Sequence, residues 1–198
     1  FQGFLGALTV VKLLPSFVVI AHLAVAFTLV IVMSGVTQKL LSPGKSILSP
    51  WLRSLGFLSL FSLIVQSLLG SRVATSWAAQ RCLSFGQSCS VLDFHRIGSI
   101  PTSLLVISFV IISFIQRDVF IDIWPYLFTI TFLIISQIFL GAFSLQLGMS
   151  EPILVIAHQL DACLLVAIIS ALNFKGKASD ASSSSLFLTE SNLETCHG

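Results

Sequence analysis

Residues 18–27 read VVIAHLAVAF, a histidine set inside an apolar run long enough to cross a membrane. Residues 154–163, LVIAHQLDAC, repeat the pattern far down the chain. The upstream contexts match too. QGFLGALTV (2–10) precedes the first, QIFLGAFSL (137–145) precedes the second, and Pro15 and Pro152 stand between each pair. The offset is 135 residues from Gln2 to Gln137 and 136 from His22 to His158. So steady an offset marks an internal repeat. A third copy, QSLLGSRVA (66–74), leads across a longer loop to LDFHRIGSI (92–100) and so to His95. The unit is a helix ending in Gln-x-x-Leu-Gly, a loop, then a helix bearing histidine.

Composition fixes the setting of these units. Of 198 residues 56% are hydrophobic and 9% charged, with a mean hydropathy of +1.01, where soluble domains carry roughly 25% charge. A span needs about 20 mostly apolar residues. Five segments meet that length, at about 14–33, 54–71, 97–116, 124–143 and 153–172. Only helices and closed barrels satisfy their backbone in hydrocarbon, and runs this continuous lack the alternation of a barrel. The expected fold is all-α and integral to the membrane, with five transmembrane helices. Two repeat units make a four-helix bundle, so residues 54–172 hold one complete bundle. Residues 1–33 hold the last helix of a preceding pseudosymmetric bundle. The chain opens on Phe1 without a leader and reads as N-terminally truncated. A net charge of +2 without a basic stripe gives no footprint for nucleic acid.

The loops suggest an orientation. Residues 34–53, read as a cytoplasmic linker, carry Lys39, Lys45 and Arg53 and no acid. With Arg117, Lys175 and Lys177 they place six basic residues on one side, against Lys12, Arg72, Arg81 and Arg96 on the other. The positive-inside rule puts the first group in the cytoplasm. Cys82 and Cys89 lie in the opposite loop, RVATSWAAQRCLSFGQSCSVLDF (72–94), where an oxidising compartment would let them pair. Residues 173–198 end in a serine-rich stretch without apolar period and are expected to be a disordered cytoplasmic tail. Cys196 and His197, at its end, have no expected role.

His22 and His158 sit about 10 Å below the outer ends of their helices, at 1.5 Å per residue, and His95 lies at the outer entrance of its span. All three helices run the same way. Intramembrane ionisable groups are functional candidates by default, and three at one level weigh against incidental hydrogen bonding. Imidazoles without nearby acids or thiolates suit haem iron better than zinc, which wants four clustered ligands. Gly6, Gly70, Gly98 and Gly141 leave room for a ring between helices, although small residues also serve packing.

At this point the chain resembles the haem A synthase family, the membrane enzymes that convert haem O to haem A for cytochrome oxidase. The elements carrying the likeness are QGFLGALTVVKLLPSFVVIAHLAVA, QSLLGSRVATSWAAQRC, the Cys82/Cys89 pair, His95-Arg96 and IAHQLDA, over about residues 1–172. The resemblance implies eight helices in two pseudosymmetric halves, a disulfide between Cys82 and Cys89, and haem b bound through His95 and His158 in the C-terminal half. It implies His22 as a ligand of the substrate, haem O, in the other half. The family's Glu-x-x-His-Arg motif meets Leu92 here, so the catalytic glutamate is expected upstream of Phe1 and the chain alone is expected to be inactive. The implied reaction oxidises a ring methyl to formyl by successive hydroxylations, with haem b as electron relay. Implied partners are membrane lipid, an electron donor, and haem O synthase or a second copy of the chain. The setting is a bacterial cell membrane or its equivalent, with the cysteine loop outside.

Other residues divide between roles. Asp161, three after His158, could steady an imidazole or meet a loop donor. Arg96 fits a haem propionate or an interfacial position. Cys163 fits apolar packing, and Trp51, Trp77, Trp124 and Tyr126 fit an interfacial belt. The residues alone support a bis-histidine b-type membrane cytochrome as the alternative, and a haem-free transporter or structural protein as a further one. A disulfide between Cys82 and Cys89 would close a short loop, contributing somewhat less than the about 3 kcal/mol of a 15-residue loop. Thiol labelling of unreduced membranes should leave both cysteines unmodified, and ready labelling of both would exclude the bond.

Overall fold

The computed structural model describes residues 1–75 and 90–176, with the backbone alone at 117–119. Among them are six α-helices: α1 Gln2–Val11, α2 Ser16–Leu41, α3 Pro50–Thr75, α4 Ser90–Ile115, α5 Arg117–Gln146 and α6 Pro152–Phe174. Outside the helices, one isolated bridge joins Ser46 to Gly176. Five helices, α2 to α6, are long and apolar enough to cross a membrane. The 26 residues of α2 rise about 39 Å, more than the roughly 30 Å of hydrocarbon they must bridge. Large apolar side chains face outward along these helices, Phe132 at 71% exposure and Phe139 and Ile156 at 66%. In water such a surface would aggregate; in lipid it is solvated. The chain is an all-α, multi-pass membrane protein. Cys82, Cys89, Trp77 and residues 177–198, with Cys196 and His197, lie outside the described residues.

Helices α3, α4, α5 and α6 pack pairwise around a closed ring, α6 returning against α3. Their inner faces share one core, with Leu63 of α3, Val106 and Phe109 of α4, Ile123 and Ile130 of α5, and Leu165 and Ile169 of α6. The turn from α4 into α5 is a single residue, Gln116, bracketed by Phe114 and Phe120 stacked edge to face at 4.7 Å. Outside the ring, α2 lies against α6 and α3, and α1 lies against α2.

Lipid tails are as apolar as leucine, so helices in a membrane associate through close approach and polar contacts. Both are present where α2 meets the ring. Ser170 Oγ donates to the Ile31 carbonyl at 3.0 Å, and Tyr126 Oη donates to Gln38 Oε1 at 2.7 Å. Gly35 faces the Phe174 ring so closely that a Cβ there would stand 2.7 Å from it. Tyr126, grouped with the interfacial aromatics on sequence, thus ties two elements together. Trp51 and Trp124 remain half exposed.

The element bounds depart from the hydropathy reading at two places. The linker assigned to 34–53 is shorter: α2 continues to Leu41 and α3 begins at Pro50, leaving 42–49 between them. The boundary of the tail moves as well. Asn173 and Phe174 complete α6, Asn173 is fully buried and donates to the Ile169 carbonyl at 3.0 Å, and the Lys175 carbonyl accepts from Ile47 N at 3.2 Å. Helices are propagated by backbone hydrogen bonds, which continue past the last apolar residue; a hydropathy window stops there.

The repeat extends to the backbone of its turns. After α1, Lys12 N donates to Leu8 O, Leu13 N to Val10 O and Leu14 N to Thr9 O; after α5, Leu147 N donates to Phe143 O, Gly148 N to Leu145 O and Met149 N to Ser144 O. Each bond in one turn has its counterpart 135 residues on. This is the Schellman closure of a helix end, and it needs left-handed backbone. Gly148 and Met149 supply it with φ of 63° and 57°, Leu13 and Leu14 with 55° and 60°. Glycine adopts this region freely, whereas leucine pays about 1 kcal/mol. Gly148 has open space around its Cα, so Gly148→Ala adds strain and no clash. Thermal unfolding in detergent should fall for Gly148→Ala and rise for Leu13→Gly, each by the equivalent of about 1 kcal/mol.

Candidate functional site

The three helical hairpins, α1–α2, α3–α4 and α5–α6, build the same local arrangement. On the first arm a glutamine stands nine positions before the helix end: Gln2 before Val11, Gln66 before Thr75, Gln137 before Gln146. One turn on comes a glycine, Gly6, Gly70 or Gly141. On the second arm the histidine sits five or six positions into the helix, His22 in α2, His95 in α4 and His158 in α6. Antiparallel arms bring these levels together.

The contacts are specific. Gln2 Nε2 lies 3.5 Å from His22 Nε2, Gln66 Nε2 lies 3.0 Å from His95 Nδ1, and Gln137 Nε2 lies 3.3 Å from His158 Nε2. The Gln2 and Gln66 amide nitrogens also donate to the carbonyls of His22 and His95, at 3.0 and 2.5 Å. Each glycine faces the ring edge. A Cβ would stand 3.2 Å from His22 Cε1 at Gly6, 2.8 Å from His95 Cε1 at Gly70, and 3.0 Å from His158 Cε1 at Gly141. Gly98 makes room for another part of the same contact, with its Cβ position 2.7 Å from Gln66 Oε1. The sequence reading gave these glycines to a ring between helices. In the structure they accommodate the imidazoles and, at Gly98, the glutamine that reaches one. The glutamines were visible in the sequence as the head of each repeat, and their role was missed because hydropathy says nothing about a partner across a hairpin.

Two of the three histidines share a cavity. His95 and His158 line a space of about 330 Å³ inside the four-helix ring, together with Gln66, Gln137, Gly70 and Gly141. That volume lies within the range of small-molecule sites. Its remaining wall is mostly aliphatic with small hydroxyls such as Ser67 and Thr102. Arg96 lines it while remaining exposed, which places it at the rim. His22 is not on this wall. His158 Nδ1 and His22 Nδ1 are buried with no hydrogen-bond partner. A buried polar atom left unpaired costs about 1–3 kcal/mol. Two imidazoles on the wall of one cavity are a donor set suited to haem iron.

Other candidates fall elsewhere. Asp161 is buried, its Oδ2 unpartnered, yet it does not line the cavity. Cys163 packs against the shared core. Among the described residues no three His, Cys, Asp or Glu side chains cluster as a metal site would require.

The model of one protein family, COX15-CtaA, described as cytochrome oxidase assembly protein, matches residues 1–170. Comparison with curated proteins returned no match, and comparison with solved structures returned none.

The glycine contacts give a direct test of the clamp. Gly70→Ala forces a Cβ against the His95 ring, and overpacking of this kind costs about 1–3 kcal/mol. Gly3→Ala, where nothing lies within 4 Å, should leave the thermal midpoint unchanged or slightly raised. Equal midpoints for the two variants would mean that His95 does not lie against Gly70.

Proposed function

Since the chain belongs to the COX15-CtaA family of cytochrome oxidase assembly proteins, and so to the haem A synthase line of oxidoreductases, we propose that its four-helix ring is the haem b half of such an enzyme. The parent reaction oxidises the ring methyl of haem O to formyl. The observation that carries this reading is that His95 and His158 wall one and the same cavity.

The chain's own residues have distinct tasks in it. His95 on α4 and His158 on α6 would hold the iron of haem b. Gly70 and Gly141 keep the facing helices close enough for the imidazoles to seat. Arg96, at the rim, offers a fork of donors to a propionate, a charge-assisted contact. The aliphatic wall excludes water, which strengthens every polar contact inside. Haem b, when bound, supplies a one-electron relay between an external electron donor and the substrate half. His22, in the α1–α2 hairpin outside the ring, belongs to the substrate site for haem O. The Cys82/Cys89 loop lies on the outer side of a bacterial cell membrane or its equivalent.

Haem reconstitution tests the assignment. The purified chain in detergent, titrated with iron protoporphyrin IX, should give a low-spin bis-imidazole absorption spectrum. His95→Ala or His158→Ala should abolish it or convert it to high spin, and His22→Ala should spare it. A spectrum that survives the double substitution at 95 and 158 would remove the ligand assignment. One that vanishes in folded His22→Ala would place His22 in the same site. In a complete enzyme His22→Ala should impair haem O conversion while haem b remains bound; normal conversion would favour the cytochrome without a substrate of its own.

A further inference from the structure

The glutamine clamps tie α3 to α4 and α5 to α6, which leaves two seams of the four-helix ring unclamped. One of them, α3–α6, is walled by buried Ser67 and Ser71, and α2 lies against both of its helices from outside. The other is α4–α5. Among the described residues no third helix packs across it.

Helix faces identify the residues that border this seam. On α4, His95 and Gly98 turn to α3, where they meet Gly70 and Gln66. Arg96 and Ser99 follow them by one residue each, about 100° round the helix, and both line the cavity. On α5, Gln137 and Gly141 turn to His158 of α6. Ile138 and Ala142 follow them by one residue each, and again both line the cavity. Each pair thus stands on the flank turned away from its own hairpin partner, and in a ring those two flanks face each other.

A wall residue that is also exposed stands at an opening. Arg96, Ile138 and Ala142 are all exposed, on both sides of this one seam. Ile138 stands eight residues before Gln146, the end of α5, about 12 Å in from it, so the opening faces lipid. Farther in, the seam closes. Steps of seven along the flank of Arg96 lead to Ser103, half-buried, and then to Val110, which packs on the shared core. At the inner end Phe114 stacks on Phe120. The two helices are joined and packed at one end and parted at the other.

We propose that the outer half of the α4–α5 seam is a lateral portal through which haem passes between the bilayer and the cavity. An apolar macrocycle with two carboxylates dissolves in lipid, its carboxylates at the membrane surface. Arg96 is exposed at the edge of the portal, where a guanidinium meets a carboxylate. The proposal rests on the cavity being the haem site.

The test places the chain in phosphatidylcholine vesicles and adds iron protoporphyrin IX, which partitions into the bilayer. Uptake is followed as growth of the low-spin band, and loss as transfer to excess apomyoglobin. Ile138→Trp and Ala142→Trp narrow the seam from α5. Ile135→Trp is the control, since Ile135 has the same 49% exposure as Ile138 and is not on the cavity wall. A narrowed passage hinders both directions, so uptake and loss should each slow roughly ten-fold, an added barrier of about 1.4 kcal/mol. The final spectrum should be unchanged, and the control should match the unaltered chain. Rates for Ile138→Trp equal to those for Ile135→Trp overturn the portal and point to entry at the outer end of the ring, where Ala74 is exposed on the wall. Slower loss with unchanged uptake overturns it too, since that marks a contact with the bound ring. Should the tryptophan variants not fold, Ile138→Ala decides: both rates should rise, and unmoved rates overturn the proposal. Absence of the low-spin band in the unaltered chain would overturn the haem reading itself, whereas a normal band with unmoved rates overturns the portal alone.

Discussion

In hydrocarbon, an apolar side chain gains little by leaving lipid for another helix. Everything specific in this fold therefore hangs on a small number of close or polar contacts, and the most repeated of these is a glutamine amide against an imidazole across a hairpin. It recurs in α1–α2, α3–α4 and α5–α6, each time with a glycine opposite the ring. The pairing sets the sliding register of the two arms. With the register set, the ring of α3 to α6 closes around a cavity that His95 and His158 both line. The packing of α2 follows the same logic farther along, where Ser170 bonds to the Ile31 carbonyl and Tyr126 to Gln38.

Much of this was legible in the residues, for identifiable reasons. Long apolar runs fixed the number and kind of helices, because backbone in lipid has so few solutions. The repeated glutamine, glycine and histidine announced the hairpins, since equal spacing in antiparallel arms implies equal depth. His95, Arg96 and His158 were named from sequence, and all three border the cavity. What stayed hidden depends on contacts between elements. Asn173 looked like the start of a tail because it is polar, yet it is fully buried at the end of α6. Tyr126 looked interfacial because it flanks a span, yet Gln38, 88 residues away, takes its hydroxyl. No window along a chain reports a partner that far off.

The glutamine clamp also shows how one motif can serve unlike ends. The three hairpins share the clamp but not its surroundings. Position three after the histidine is Val25 in the first, Gly98 in the second and Asp161 in the third. Only Gly98 accommodates the glutamine itself, and the second hairpin has the shortest amide-to-ring distance. A common scaffold with varied neighbours is what allows two hairpins to share a cavity while the third stands apart from it.

The matched turns after α1 and α5 carry a lesson about length. Each joins a clamp glutamine to its histidine through a rigid run of helix, a closed hydrogen-bonded turn and another run of helix. One residue added or removed within such a turn would swing the following helix by about 100° and carry the imidazole off its glycine. Leu13 and Leu14 accept an awkward backbone in order to preserve that count. The turns at 12–15 and 147–151 are fixed in length as a gear tooth is, whereas 42–46 lies away from all three clamps and answers to a different constraint, the backbone of Gly176 seated against Ser42 and Gly44.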